Sequence, residues 1–156
     1  MAAADDDRVS VERVIPAPPD KIFDLLADPA RHRDIDGSGS VREAKQGSQR
    51  LALGSKFGMS MKMGIPYSMV NEVIEFDENR CIAWQTRAPQ SWSAKLGGGR
   101  IWRYELEPVD GGTRVRESWD ISQEAGLSKP LVKRGRGHTI TNMEKTLARI
   151  QEIVTA

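Results

Sequence analysis

Apolar residues recur at every second position in short runs between Gly37 and Ile121, and at every third or fourth position over one long stretch after Ser128. That switch of period, from two to about 3.6, most constrains the fold, because a strand and a helix expose their faces at those two spacings. Phe57, Met59, Met61 and Met63 alternate with Gly58, Ser60 and Lys62. Trp102, Tyr104 and Leu106 fall on one strand face, and Val115, Glu117, Trp119 and Ile121 on another. Turn signals separate the runs: Gly47-Ser48, Gly64-Ile65-Pro66, Asp77-Glu78-Asn79 and the hairpin sequence Asp110-Gly111-Gly112. The spacing predicts strands over residues 41–45, 57–63, 67–76, 80–86, 101–107 and 113–121. Residues 88–99, with Gly97-Gly98-Gly99, read as a flexible loop.

Ahead of these lies a Val- and Ile-rich run from Arg8 to Ile15, a further strand. Pro16, Pro18 and Pro19 stop it, since proline donates no ladder hydrogen bond, and Pro19 suits the first turn of a helix. Ile22, Phe23, Leu25 and Leu26 continue at helical spacing up to Asp28-Pro29, and a second short helix is expected over Ala30 to Arg33. At the other end, Ser128 is the expected N-cap of one long helix with Pro130 in its first turn. Val132, Ile140, Met143, Leu147, Ile150 and Val154 form its apolar stripe. Gly135 and Gly137 weaken its first half by roughly 1 kcal/mol each relative to alanine, so a bend is expected there.

The predicted order is strand, two short helices, about six antiparallel strands and one terminal helix. Short connections imply a meander, and only the last helix is long enough to cover a sheet face. The expected fold is α+β, a curved antiparallel sheet of about seven strands gripping the terminal helix. A curved sheet does not close fully on a straight helix, so a cavity is expected between them. Residues 1–7 read as a disordered leader and 8–156 as a single domain. The acidic N-terminus has no apolar run after it, so it does not read as a signal peptide.

Composition removes whole classes of function. A formal net charge of +1 gives no strongly basic face for nucleic acid. No run approaches the roughly 20 apolar residues of a membrane span. Cys81 is the sole cysteine, so no intrachain disulfide is possible and a reducing, cytoplasmic setting is the default. Two histidines, His32 and His138, and one cysteine do not make a spaced metal set. No phosphate loop, dinucleotide fingerprint or nucleophile elbow is present. Neither metal nor cofactor is expected.

Several stretches together resemble a known family. Residues 9–23 (VSVERVIPAPPDKIF) resemble the opening strand, proline-rich turn and first helix of the polyketide cyclase/dehydrase-like branch of the START-like, or SRPBCC helix-grip, superfamily. Leu26-Ala27-Asp28-Pro29-Ala30 is similar to its helix break, Arg80 to Trp84 to its middle strand, Gly111 to Glu117 to its last hairpin, and Asn142 to Leu147 to its terminal helix. The resemblance spans residues 8–154. Where many members carry an aromatic, this chain has the acidic and glycine-rich stretch from His32 to Ser40. The resemblance implies a helix-grip fold. The family includes cyclases, lipid and hormone carriers and chaperone regulators, so fold alone does not decide function.

Candidate functional residues follow from the predicted faces. Trp84, Trp102, Trp119 and Tyr104 lie on strands and either line an apolar cavity or fill the core. Trp92, in the loop, reads as a surface anchor rather than a gate. Met59, Met61 and Met63 either fill core or line a cavity of adaptable shape. Tyr67, Ile140 and Met143 complete the expected lining. Glu117 shares its face with Val115 and Trp119. Buried there, it would have a raised pKa suited to general acid or base work, or would pair with Arg136. Arg136 falls within the apolar stripe and either holds an anionic ligand atom or, if the glycines break the helix, points to solvent. Glu117, Tyr104 and Arg136 are the catalytic candidates. Glu72 raises the same question as Glu117. Asp34 and Asp36 either serve at a cavity mouth or, as the commoner use of such aspartates, act as turn or cap residues; His138 is read as exposed, and Lys133, Arg134 and Arg136 as a solvated basic helix end. Three functions follow in order of preference: a module that binds a small hydrophobic molecule, a cyclase- or dehydratase-type enzyme, and a protein-interaction domain. The chain is expected to be a monomer or homodimer.

Overall fold

The computed structural model describes residues 7–37, 41–44, 49–63, 65–87 and 98–156, with the side chains of 41–44, 59–63 and 65–68 outside that description. Strands β1 (Arg8–Ile15), β2 (Val41–Ala44), β3 (Lys56–Met63), β4 (Ile65–Asp77), β5 (Cys81–Arg87), β6 (Gly98–Val109) and β7 (Gly112–Asp120) form one sheet. Its order is β1-β7-β6-β5-β4-β3-β2, with every neighbour antiparallel. The chain therefore starts on one edge, crosses to the other through helices, and meanders back until β7 pairs along the whole of β1.

The crossing segment is α1 (Pro19–Leu26), a 3-10 turn (Pro29–Arg31) and the single turn α2 (His32–Ile35). Pro19 opens α1, where its missing N–H is no loss. Ile22, Phe23, Leu25 and Leu26 are all buried, which anchors α1 on the sheet; Phe23 meets Phe76 of β4 edge to face at 5.4 Å. Asp28 starts the 3-10 turn by accepting the Ala30 N–H at 3.0 Å.

The terminal region departs from the single helix expected. It splits at Gly135 into α3 (Lys129–Arg134) and α4 (Arg136–Val154). Ser128 does not cap α3 with its side chain. Its hydroxyl instead donates to Glu124 Oε2 at 2.5 Å. The Glu124 carboxylate also accepts the backbone N–H groups of Gly98 and Arg100, both at 3.1 Å, and the Arg100 guanidinium. This buried carboxylate ties the start of β6 to the segment leading into α3. Gly98 and Gly99 accordingly belong to β6 rather than to a loop. Asp7, at the end of the expected leader, pairs with Lys129 of α3 at 2.7 Å.

Helix α4 rests on β1 and β7 and meets α1 and α2 at its flank. Met143, Leu147 and Ile150 are buried and Val154 partly so. Gly37, just after α2, permits the closest approach: a Cβ there would sit 2.2 Å from the Asn142 carbonyl oxygen of α4, and its N–H donates to Thr146 Oγ1 at 2.8 Å. Gly37→Ala is expected to lower stability by about 1–3 kcal/mol, the usual range for overpacking. Gly126→Ala, with no heavy atom within 4 Å of the added carbon, serves as the control. Denaturant melts with equal midpoints for the two variants would contradict this packing.

Candidate functional site

Strand alternation sets which side chains share the concave face. The register places Tyr104 opposite Glu117, Trp102 opposite Trp119 and Leu106 opposite Val115. On the next strands, Ile82 faces Tyr104 and Trp84 faces Trp102, while Val11 faces Glu117 and Val9 faces Trp119. Glu117 therefore lies in the middle of an apolar surface. Val115, Tyr104, Leu147 and Ile150 belong to one buried cluster, and Val9, Trp119, Ile121 and Met143 to a second. Glu117 stands at the boundary of the two.

Glu117 is 2% exposed and Tyr104 5%. The Tyr104 hydroxyl donates to Glu117 Oε2 at 2.8 Å, while Oε1 is buried with no hydrogen-bond partner among the described residues. Burial pushes the Glu117 pKa up to about 8; the Tyr104 bond opposes that shift and the nearby Asp36 carboxylate adds to it. Burial and the adjacent Glu117 together push the Tyr104 pKa well up. At neutral pH, then, both groups are protonated. Because Tyr104 donates to Oε2, the carboxyl proton belongs on Oε1, where it forms a donor facing apolar surroundings. A buried polar group left without a partner costs about 1–3 kcal/mol, and such groups in folded proteins generally find protein, water or ligand.

Aromatic rings surround this pair. Trp84 lies 5.6 Å from Tyr104 and 5.7 Å from Phe57 between ring centroids, and Trp102 lies 6.4 Å from Trp119. Trp84 and Trp119 are buried, yet Trp102, on the central strand between them, is only half-buried. It packs against both core clusters without being closed over. Val11, opposite Glu117 on the edge strand, is half-buried as well. Beyond Val11, an open hollow of about 280 Å³ between β1 and α4 is lined by Glu12, Arg13, Glu144 and Leu147; its charged rim suits solvent better than an apolar molecule.

The structure thus brings Glu117, Tyr104, Trp84, Trp102 and Trp119 onto one surface, with Met143 buried and Ile140 half-buried beside Trp119. Arg136 stands apart. It opens α4 after the break at Gly135, and the groups acting on Glu117 are Tyr104 and Asp36 rather than Arg136. Glu72 alternates with the buried Asn71 and Val73 and so falls on the opposite face. The backbone pairs Met59 with Met69, Met61 with Tyr67 and Met63 with Ile65; the expected roles of Met59, Met61, Met63 and Tyr67 rest on side chains outside the described residues, as does that of Trp92. Asp34 accepts from Arg31 at 2.8 Å, in keeping with a turn role, and His138 is exposed.

Sequence reasoning missed His32 and Thr86, and favoured a turn role for Asp36. His32 is buried, stacks on Trp84 at 4.9 Å and donates from Nε2 to the Leu26 carbonyl at 2.9 Å. Burial lowers its pKa, so it is neutral. The three-residue spacing of His32 and Ile35, both buried on α2, was the available signal. Asp36 ends α2 close enough to act on Glu117. Thr86 donates to Asn71 at 2.7 Å, a second buried polar pair further along the sheet.

Comparison with known proteins places these features in context. A family model for polyketide cyclase/dehydrase and lipid transport matches residues 6–154. The uncharacterised proteins Rv0088 and MT0096, from two strains of Mycobacterium tuberculosis, are 37% and 36% identical over 126 residues, covering 80% of this chain and 52% of theirs. The chain therefore spans about half the length of the curated relatives it matches. Among solved structures, CV1439 from Chromobacterium violaceum aligns with a TM-score of 0.70 at 16% identity, covering 96% of this chain and 98% of the other. The Polyketide_cyc-like protein Cgl2372 from Corynebacterium glutamicum aligns at 0.61 with 22% identity, covering 95% and 91%. At those identities the structural matches establish the helix-grip fold.

The Glu117 environment has a thermodynamic signature. A carboxyl whose folded pKa is raised binds a proton that the unfolded chain has released, so its stabilising contribution is full below the unfolded value of 4.5 and is lost as pH rises through about 8. Glu117→Gln keeps the shape and removes the titration. Relative to that variant, the native protein is expected to lose roughly a kcal/mol of stability per pH unit between about pH 5 and 8. Parallel pH–stability curves would show that Glu117 titrates as an ordinary carboxylate.

Proposed function

The chain belongs to the polyketide cyclase/dehydrase and lipid transport family, and we propose that it binds a small hydrophobic molecule between the concave face of the sheet and α4, with Glu117 holding that molecule's polar atom. The observation carrying this reading is Trp102: an indole on an interior strand, flanked by buried Trp84 and Trp119, that the protein leaves partly exposed. Exposed aromatic area on a concave face is favourable to bury, and binding sites combine such surfaces with a few convergent polar groups. The unpartnered Glu117 Oε1 supplies one. A neutral carboxyl donates to a carbonyl or ether oxygen and has no charge with which to attract a cation.

Family membership supports this reading without naming the molecule. Trp84, Trp102, Trp119, Ile140 and Met143 are assigned to the lining. The test uses two neutral probes of similar size, 2-acetylnaphthalene and 2-ethylnaphthalene, titrated by calorimetry or tryptophan quenching. Both are expected to bind at one site, the acetyl compound about three- to tenfold more tightly, as one net hydrogen bond implies. Glu117→Leu should abolish that preference, and Trp102→Ala should weaken both probes. Absence of binding by either probe, or a preference that survives in Glu117→Leu, would overturn the reading.

The same carboxyl favours a second reading, in which the bound molecule is transformed. A protonated Glu117 hydrogen-bonded to Tyr104 can deliver a proton to a developing enolate or leaving hydroxyl and recover it later, as cyclisation or dehydration requires. Arg136 enters that scheme only if ligand binding draws it inward. Under this reading Glu117→Gln binds a linear poly-β-ketone as the native protein does and fails to turn it over; equal turnover by the two proteins would exclude Glu117 as the acid.

A further inference from the structure

The concave face carries a second polar group, away from Glu117. Asn71 of β4 lies opposite both Phe57 of β3 and Thr86 of β5, one step beyond the pair formed by Val73 and Trp84. Val73 and Trp84 are buried on the concave face, and two-residue alternation puts Asn71 and Thr86 on that face with them. Asn71 is 6% exposed and Thr86 8%. The Thr86 hydroxyl donates to Asn71 Oδ1 at 2.7 Å, while the Asn71 Nδ2 amide has no hydrogen-bond partner among the described residues. The backbone ladder already joins β4 to β5, and replacing two bonded side chains by apolar ones of the same shape is close to neutral for stability. The sheet therefore does not need this pair to hold together.

The register sets a straight path between the two polar groups. Glu117 pairs with Tyr104, and Tyr104 with Ile82; two residues along, Trp119 pairs with Trp102, and Trp102 with Trp84. Thr86 lies two residues beyond Trp84. A diagonal from Glu117 on β7 to Thr86 on β5 thus crosses Trp102 on β6, the indole left partly exposed. With strands about 4.8 Å apart and about 3.4 Å of rise per residue, the ends of that diagonal are on the order of 15 Å apart between Cα atoms. Met69, the next residue of β4 on the face of Asn71, is also partly exposed.

We propose that Asn71 and Thr86 form a second polar anchor in the ligand site, and that the molecule bound there is elongated, apolar in its middle, with a hydrogen-bond-accepting oxygen at each end. This inference rests on the reading of the concave face as a ligand site. The Glu117 carboxyl meets one oxygen, the Asn71 amide donates to the other, and the Trp102 indole covers the apolar middle. Two donors held at a fixed separation on rigid strands select length as well as polarity, because a shorter molecule leaves one of them unpaired.

The test titrates the full chain with three rigid probes of matched shape: 4,4′-diethylbiphenyl, 4-acetyl-4′-ethylbiphenyl and 4,4′-diacetylbiphenyl. Each acetyl group is expected to tighten binding about three- to tenfold, as one net hydrogen bond implies. The variant Asn71→Leu/Thr86→Val, which replaces both partners by apolar groups of similar shape, should bind the diacetyl and monoacetyl probes equally. It should keep the preference for the monoacetyl over the diethyl probe, which belongs to Glu117. Should that variant fold poorly, isotope-filtered NOE spectroscopy on the native protein reads the same point: the acetyl methyls of the diacetyl probe are expected to contact both the Tyr104 ring and the Thr86 methyl. Equal affinity of the native protein for the diacetyl and monoacetyl probes, a second-acetyl preference that survives in the variant, or no contact with Thr86 overturns the second anchor and leaves the ligand site itself standing. Absence of binding by all three probes overturns the ligand site and the anchor with it.

Discussion

A carboxyl group in the middle of an apolar sheet face is the constraint on which the site depends. Glu117 cannot be ionised cheaply there, because charge in a low-dielectric setting is strongly disfavoured, and among the described residues no cation acts on it. The protein satisfies half of it with the Tyr104 hydroxyl and leaves the other half facing the boundary between two core clusters. In the proposed function a ligand's polar atom meets that donor, beside a Trp102 that the fold leaves partly exposed.

The rest of the architecture serves to hold that boundary in place. The crossing segment brings α2 over the sheet, which sets His32 on Trp84 and Asp36 close to Glu117. Gly37 then lets the chain pass against α4 with almost no separation. At the far end, the Glu124 carboxylate joins β6 to the start of α3 through backbone and side-chain donors. The helix break at Gly135 separates α4, which covers β1 and β7, from α3, whose Val132 packs beside Trp119.

Most strands were legible because one face of each is buried, and a slip of one residue would turn every apolar side chain outward. Arg8–Ile15 matches its expected bounds and the others differ by one to three residues at most, as at Gly98 and Ile65. The two-residue spacing put Glu117 on one face with Val115 and Trp119, but that this face looks inward was legible only once α4 was seen to cover β1 and β7. Arg136 was not legible. Its assignment to the apolar stripe assumed one continuous helix, and the break at Gly135 resets the phase. Ser128 was misread because its carboxylate partner Glu124 precedes it by four residues, a contact that cap statistics do not anticipate. His32 was hidden by its polar neighbours, since a single turn of helix gives too little periodicity to show which side is buried.

Whether a hydrophobic molecule sits against Trp102 beside Glu117 can be read by isotope-filtered NOE spectroscopy on uniformly labelled protein with unlabelled 2-acetylnaphthalene. Contacts are expected from the naphthalene protons to the Trp102 and Trp119 indoles and from the acetyl methyl to the Tyr104 ring. Contacts confined to the charged hollow between β1 and α4 would show instead that the concave face is filled and that Glu117 meets no ligand.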